Sequence, residues 1–208
     1  MIDKTETGTM GIEVELGIFQ AYADRFQGML KNIPFQAVAK LAGAVSEIWL
    51  ERRQVFLCGN GGSAGNANHL ANDFIYGIAK DGLGLRSHSL SANPSVITCL
   101  ANDISYPDIY AQQLRVLAQP GDLLIVFSGS GNSPNIVEAV KTAKDMGMTT
   151  CGVLGYSGGK CLSLVDIPIH FAINDMQISE DMQLLVGHMV MQYLCAHQPN
   201  RVKQSVAV

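Results

Sequence analysis

The chain has 208 residues, 48% of them apolar and 15% charged, with a net charge of −4. Such a chain can bury a substantial core, and its lack of any basic run of five or more argues against nucleic-acid binding by phosphate neutralisation. No stretch approaches the ~18 apolar residues a membrane-spanning helix needs, so no membrane role is expected.

In chain order, residues 1–10 are polar. From Ile12 to Ile33 apolar residues recur at helical spacing (Leu16, Phe19, Tyr22, Phe26, Met29, Leu30), which predicts one long amphipathic helix stopped by Pro34. A second helix is predicted from Phe35 to Arg53. Then the pattern alternates. Strand 54–58 leads through a glycine loop into helix 63–80, and Ser87–Ser91 reads as a short strand. Asn93-Pro94 opens a helix to Asn102, and another runs over 108–118. Leu123–Phe127 is an apolar run of buried parallel-strand type. After it come helix 135–147, strand Thr149–Leu154, a short helix, strand Ile167–Ile173 and a long closing helix from Ile178 to His197. Alternating strands and helices imply an α/β fold, a parallel sheet flanked by helices on both faces, with two long helices ahead of it. One domain is expected over 1–208: a helical pair at 1–53, the α/β core and closing helix at 54–197, and a tail at 198–208.

In such sheets ligands bind beyond the carboxyl ends of the strands, and two small-residue loops fall there. Cys58-Gly59-Asn60-Gly61-Gly62-Ser63 follows the first strand and opens a helix, an arrangement that suits anion binding by backbone N–H groups and the helix dipole. Gly59-x-Gly61-x-x-Ala64 matches a loose dinucleotide fingerprint, but the next strand ends Leu90-Ser91-Ala92 without the acid that a ribose needs. No Gly-Lys-Ser/Thr follows either loop, so neither is a P-loop. Ser128-Gly129-Ser130-Gly131-Asn132-Ser133 offers three hydroxyls and free amides, enough to hold a phosphate monoester without a basic side chain. As a plain turn it would instead use Ser133 to cap the next helix. Two such loops favour a sugar phosphate. His69 and Asp73, four residues apart, project from one helix face just below the first loop. His188 is set among apolar Val186, Met189 and Val190, which predicts a buried imidazole. His88, His170 and His197 carry no comparable context. The five cysteines, odd in number and without a CxxC pair, read as buried reduced thiols. Met1–Glu6 carries no signal-type apolar stretch, so a cytoplasmic location is expected.

Together the two loops, with His69-Leu70-Ala71-Asn72-Asp73, Ala101-Asn102-Asp103 and His188, resemble the sugar isomerase (SIS) domain superfamily, and within it the phosphoheptose isomerase family. The resemblance runs from the first helix to His197. It implies a flavodoxin-like three-layer α/β/α fold and an aldose–ketose isomerase. Such an enzyme converts sedoheptulose 7-phosphate to D-glycero-D-manno-heptose 7-phosphate through an enediol, for lipopolysaccharide or capsule. It further implies one zinc ion per subunit at His69, Asp73, Glu180 and His188, with Asp73 and His188 as the catalytic base and acid. Asn60, Gly61, Gly62, Ser63, Asp73, Asn102, Asp103, Ser128, Gly129, Ser130, Ser133 and Glu180 would bind substrate. The family is a homotetramer with sites between subunits.

The chain departs from the family pattern at four places. Asp73 stands for Glu, one methylene shorter, which calls for a compensating backbone shift, a different substrate or weaker activity. Glu180 stands for Gln and adds a charge. Gly77 stands for a basic residue and Gly129 for a hydroxyl residue. Glu180 and His188 are eight residues apart, about 80° around a helix. Geometry alone would pick Asp181, and both remain open at this point. Two other roles compete with this one: a non-catalytic SIS regulator that binds sugar phosphates or a replication initiator, and an isomerase of a different sugar phosphate.

Overall fold

The computed structural model describes residues 15–199. Their order is α1 (Leu16–Leu30), α2 (Phe35–Leu50), β1 (Gln54–Gly59), α3 (Gly62–Asn72), β2 (Arg86–Ser89), α4 (Pro94–Asp103), α5 (Ala111–Leu117), β3 (Leu123–Ser128), α6 (Pro134–Asp145), β4 (Thr149–Leu154), α7 (Cys161–Leu164), β5 (Ile167–His170) and α8 (Met176–Ala196). The five strands pair in parallel in the order β2-β1-β3-β4-β5. From β1 the chain steps outward to β2, then returns to lay β3 on the other side of β1. That reversal is the switch point of a flavodoxin-like sheet, and the crevice it opens lies beyond the carboxyl ends of β1 and β3. Both small-residue loops follow those two strands.

Strand alternation divides the core into two layers. Val55, Leu57, Leu123, Ile125 and Phe127 face α2, α3 and α8, with Trp49, Phe74 and Val186. Phe56, Cys58, Leu124 and Val126 face α5 and α6, with Leu114, Ile136 and Val140. Each such buried side chain contributes roughly 1.5–3 kcal/mol, so a charge at Leu124, for example, would split the second layer. α1 buries no residue fully; Tyr22, Phe26 and Met29 pack partly onto the first layer, and Arg25 pairs with Asp175 at 3.2 Å.

Local signals act as the sequence requires. Asn93 caps α4 by accepting from Ser95 and Val96 N–H at 3.1 and 3.3 Å, with Pro94 in the first turn. Asp175 caps α8 by accepting from Ile178 N–H at 3.2 Å, so α8 starts two residues before the expected Ile178.

Several boundaries move. Residues 12–14 of the first expected helix, and most of the expected tail, lie outside the described residues. The helix expected over 63–80 is α-helical only to Asn72; Asp73–Gly77 form a π-helical turn in which Ile78 N–H reaches back to Asp73 C=O at 3.1 Å. The helix expected over 108–118 is a 3₁₀ turn at Tyr106–Asp108 followed by α5. All five cysteines are free, but Cys99 and Cys195 are exposed, so only Cys58, Cys151 and Cys161 are the expected buried thiols.

Candidate active site

The loops after β1 and β3 meet in a pocket of about 290 Å³ lined by Asn60, Gly61, Ser63, Phe127, Ser128, Gly129, Ser130, Ser133, Met176 and Glu180. In the second loop Ser128 Oγ accepts from Gly131 N–H at 3.0 Å and Ser130 Oγ accepts from Asn132 N–H at 3.2 Å, which fixes the turn. Ser133 occupies the N-cap position of α6 yet makes no side-chain capping bond. Its hydroxyl is therefore available to a ligand. Gly61, with φ +56°, turns the first loop into α3.

The start of α8 closes over these loops, and over the one after β4, by sitting on glycines. Met176 takes the space a side chain at Gly129 would need, Ser179 that at Gly155, and Glu180 that at Gly62. Part of the glycine content thus serves the seating of α8. In particular, Met176 fills the volume left where the family pattern has a hydroxyl residue at 129.

Asn60 is tied into the frame. Its amide exchanges two hydrogen bonds with Asn135: Asn60 Nδ2 donates to Asn135 Oδ1 at 2.9 Å, and Asn135 Nδ2 donates to Asn60 Oδ1 at 2.8 Å. Tyr110 donates to Gly59 C=O and, at 3.2 Å, to Asn60 Oδ1; burial pushes its hydroxyl pKa well up, so it stays a donor. Sequence reading missed Asn135, Tyr110 and Met176. Only an amide just inside a helix start hinted at the first.

Farther along α3 and α8 a second constellation forms. His69 Nε2 lies 3.1 Å from His188 Nε2 and 3.3 Å from Asp73 Oδ2, and His188 Nε2 lies 3.6 Å from the same oxygen. The imidazoles are about half exposed and the carboxylate is sheltered, at 49%, 45% and 13%. His188 is thus not the buried imidazole expected from its apolar neighbours: Val186 and Val190 turn to the core, and residue 188 lies on another face of the helix. Donor atoms on tetrahedral zinc at ~2.0–2.1 Å stand about 3.3–3.4 Å apart, so these three fit a divalent ion of that kind.

The structure does not bring Glu180 to this group. Its carboxylate lies against Gly62, at the loop end of α3, while the metal-capable group comprises His69, Asp73 and His188. Asp181 is not there either: it accepts from the Tyr22 hydroxyl, whose pKa that bond and burial raise to about 12. Asn102 and Asp103 are exposed at the end of α4 and do not line the pocket. Asn102 Nδ2 donates to Asp103 Oδ1 at 2.7 Å, and this bond and one from Cys99 hold the Asp103 carboxyl below its usual range. His88, His170 and His197 have structural partners in Gln54, Tyr156 C=O and Tyr193.

Residues 20–155 match the family model described as the SIS domain. A phosphoheptose isomerase of Nitratidesulfovibrio vulgaris is 33% identical over 187 residues, covering 90% of this chain and 84% of that protein. One of Clostridium acetobutylicum is 39% identical over 138 residues, covering 66% and 70%. Among solved structures, a phosphoheptose isomerase of Neisseria gonorrhoeae superposes with a TM-score of 0.81 at 25% identity, covering 88% of this chain and 97% of that one.

Proposed function

The chain belongs to the SIS domain family and, within it, to the phosphoheptose isomerases, and on that premise we propose that it converts sedoheptulose 7-phosphate to D-glycero-D-manno-heptose 7-phosphate, in the supply of heptose for surface polysaccharide. The observation that carries the reading is the placement of two sites along one pair of helices. A phosphate-type pocket lies at the start of α3, and His69, Asp73 and His188 converge farther down. At ~1.5 Å per residue, Ser63 and His69 are separated by about 9 Å along the axis, which suits an extended sugar gripped by its far phosphate.

In this reading Ser63, Ser128, Ser130, Ser133 and the loop amides hold the phosphate, and that remote binding is used to orient the reacting carbons. Asp73 takes the proton from C1 of the ketose and returns it to C2 of the enediol. His188 protonates the oxygen on C2 and accepts the proton leaving the oxygen on C1. His69 holds the Asp73 carboxylate in place. A zinc-type ion held by His69, Asp73 and His188 would supply Lewis-acid stabilisation of the developing oxyanion. Asn102 and Asp103 reach substrate in this scheme only if α4 approaches the pocket of another subunit. The exposed Leu16, Ile18 and Phe19 on α1 support association, taken here as a tetramer of one-domain chains in the cytoplasm.

The test is turnover of sedoheptulose 7-phosphate by the unaltered protein and by His188→Ala, with inorganic phosphate binding measured alongside. Loss of turnover in the variant, with phosphate still bound, is expected. A variant as active as the parent would remove His188 from the chemistry.

A further inference from the structure

Among the described residues the loop pocket is lined by one charged side chain, Glu180, with no lysine or arginine beside it to offset that carboxylate. Its position is held from both ends. Asn66 of α3 donates to the Glu180 carbonyl at 2.9 Å and to Gln183 Oε1 at 3.2 Å, clamping this stretch of α8 against α3. At the other end both carboxylate oxygens occupy the space where a side chain on Gly62 would stand. Gly62 is the first residue of α3, and the N–H groups of a helix's first turn have no helical acceptor and carry its positive dipole end. The carboxylate stands where an incoming phosphate is drawn.

We infer that Glu180 is an internal anion that competes with the substrate phosphate for the start of α3. It weakens phosphate binding and so raises the substrate concentration at which the site fills. The inference rests on the loops being the phosphate subsite, and it differs from a ligand role because it assigns Glu180 an unfavourable contact with substrate. A neutral amide in the same place would keep the size and remove the competition.

The experiment measures inorganic phosphate affinity by calorimetry, and KM for sedoheptulose 7-phosphate, on the full chain and on Glu180→Gln. Both are read at low and at physiological monovalent salt. Two negative charges within one small pocket give an expected gain of about ten-fold in phosphate affinity for Glu180→Gln at low salt. The gain should largely persist at ~0.15 M salt, because charges held closer together than the ~8 Å screening length are screened little. A purely structural role would lower thermal stability without tightening binding. Unchanged or weaker phosphate binding by the variant, with binding intact in the parent, overturns the inference and leaves the phosphate subsite standing. No phosphate binding by either overturns both. Should Glu180→Gln fail to fold, Glu180→Ala is read in the same way: phosphate binding tighter than in the parent is expected, and unchanged or weaker binding overturns the inference.

Discussion

Replacing Asn135 by alanine tests whether the two loops act as one device. Asn135 is fully buried, 0% exposed, in the first turn of α6. Its side chain makes the two bonds to Asn60 and accepts a third, from Ile136 N–H, at 3.0 Å. At about 1 kcal/mol net per bond the truncation removes about 3 kcal/mol. The cavity left behind adds to that loss, while Asn60, on the pocket wall, recovers part of it by turning to water. A net loss of about 2–3 kcal/mol in urea unfolding is expected. The functional effect follows from geometry, since Asn60 precedes the Gly61-Gly62-Ser63 turn. A freed loop displaced by ~1 Å can cost up to ~10²-fold in rate, so kcat/KM should fall between about ten- and a hundred-fold. Asn60→Ala should do much the same, and the double variant should cost little more than either alone, because the amides serve each other. Additive losses, or an Asn135→Ala protein within ~0.5 kcal/mol of the parent, would refute the coupling of the two loops through Asn60 and Asn135.

Chelation should abolish turnover and, if ion binding near 100 Kd contributes about 2.7 kcal/mol, lower Tm by several degrees; scanning fluorimetry with chelator and then zinc checks this, and an unmoved Tm removes the ion from His69, Asp73 and His188. Asp166 accepts from Lys144 at 2.7 Å and from Thr150 N–H and Oγ at 2.9 and 2.7 Å; burial pushes its carboxyl up, but these bonds outweigh it and hold the pKa below 3.8. The stabilisation is therefore present above that value and lost as pH falls through the lowered folded-state one; with the side chain 42% exposed, Asp166→Asn should cost at most about 1 kcal/mol at neutral pH, the difference closing below about pH 4 in acid-unfolding curves. Gly187→Ala places a methyl into the Leu70 side chain and should lower activity by ten-fold or more through the separation of α3 from α8, with a stability cost of about 1–3 kcal/mol; full activity would show that their spacing is not what positions Asp73.

Much of the fold was legible because each signal has one physical source. Leu123–Phe127 is apolar without a break since both faces of β3 are covered, and Pro34 and Asn93-Pro94 act through backbone chemistry alone. Where the reading ran long, burial and pairing had come apart. Phe171 is buried and donates to Leu154 C=O at 2.9 Å, but the chain then turns, and Ile173 C=O accepts from Tyr156 N–H at 3.0 Å. An apolar run extended the expected strand to Ile173 while the sheet stopped at His170. The π-helical turn was invisible for a similar reason, since Leu70, Phe74 and Ile78 keep helical spacing and all are buried.

The site was legible where it depends on one element and illegible where it depends on the register of two. His69 and Asp73 are four residues apart on one helix, and no tertiary knowledge is needed to pair them. Glu180 and His188 share α8 but are ~12 Å apart along its axis, so the neighbouring helix decides what each one meets. Contacts run in the same direction along both helices: Glu180 at Gly62, Gln183 at Asn66, Gly187 at Leu70, His188 at His69 and Asp73, and Met191 at Gly77. That register sends Glu180 to the phosphate end and His188 to the chemical end. It also explains how a carboxylate as short as that of Asp73 lies within 3.6 Å of both imidazoles. Gly187 has no side chain to hold α8 away from Leu70, one turn before Asp73, and at Gly77 the two helices are again close enough for Met191 to fill the space of a missing side chain. The reach that a longer side chain would supply is supplied here by helices packed through glycine.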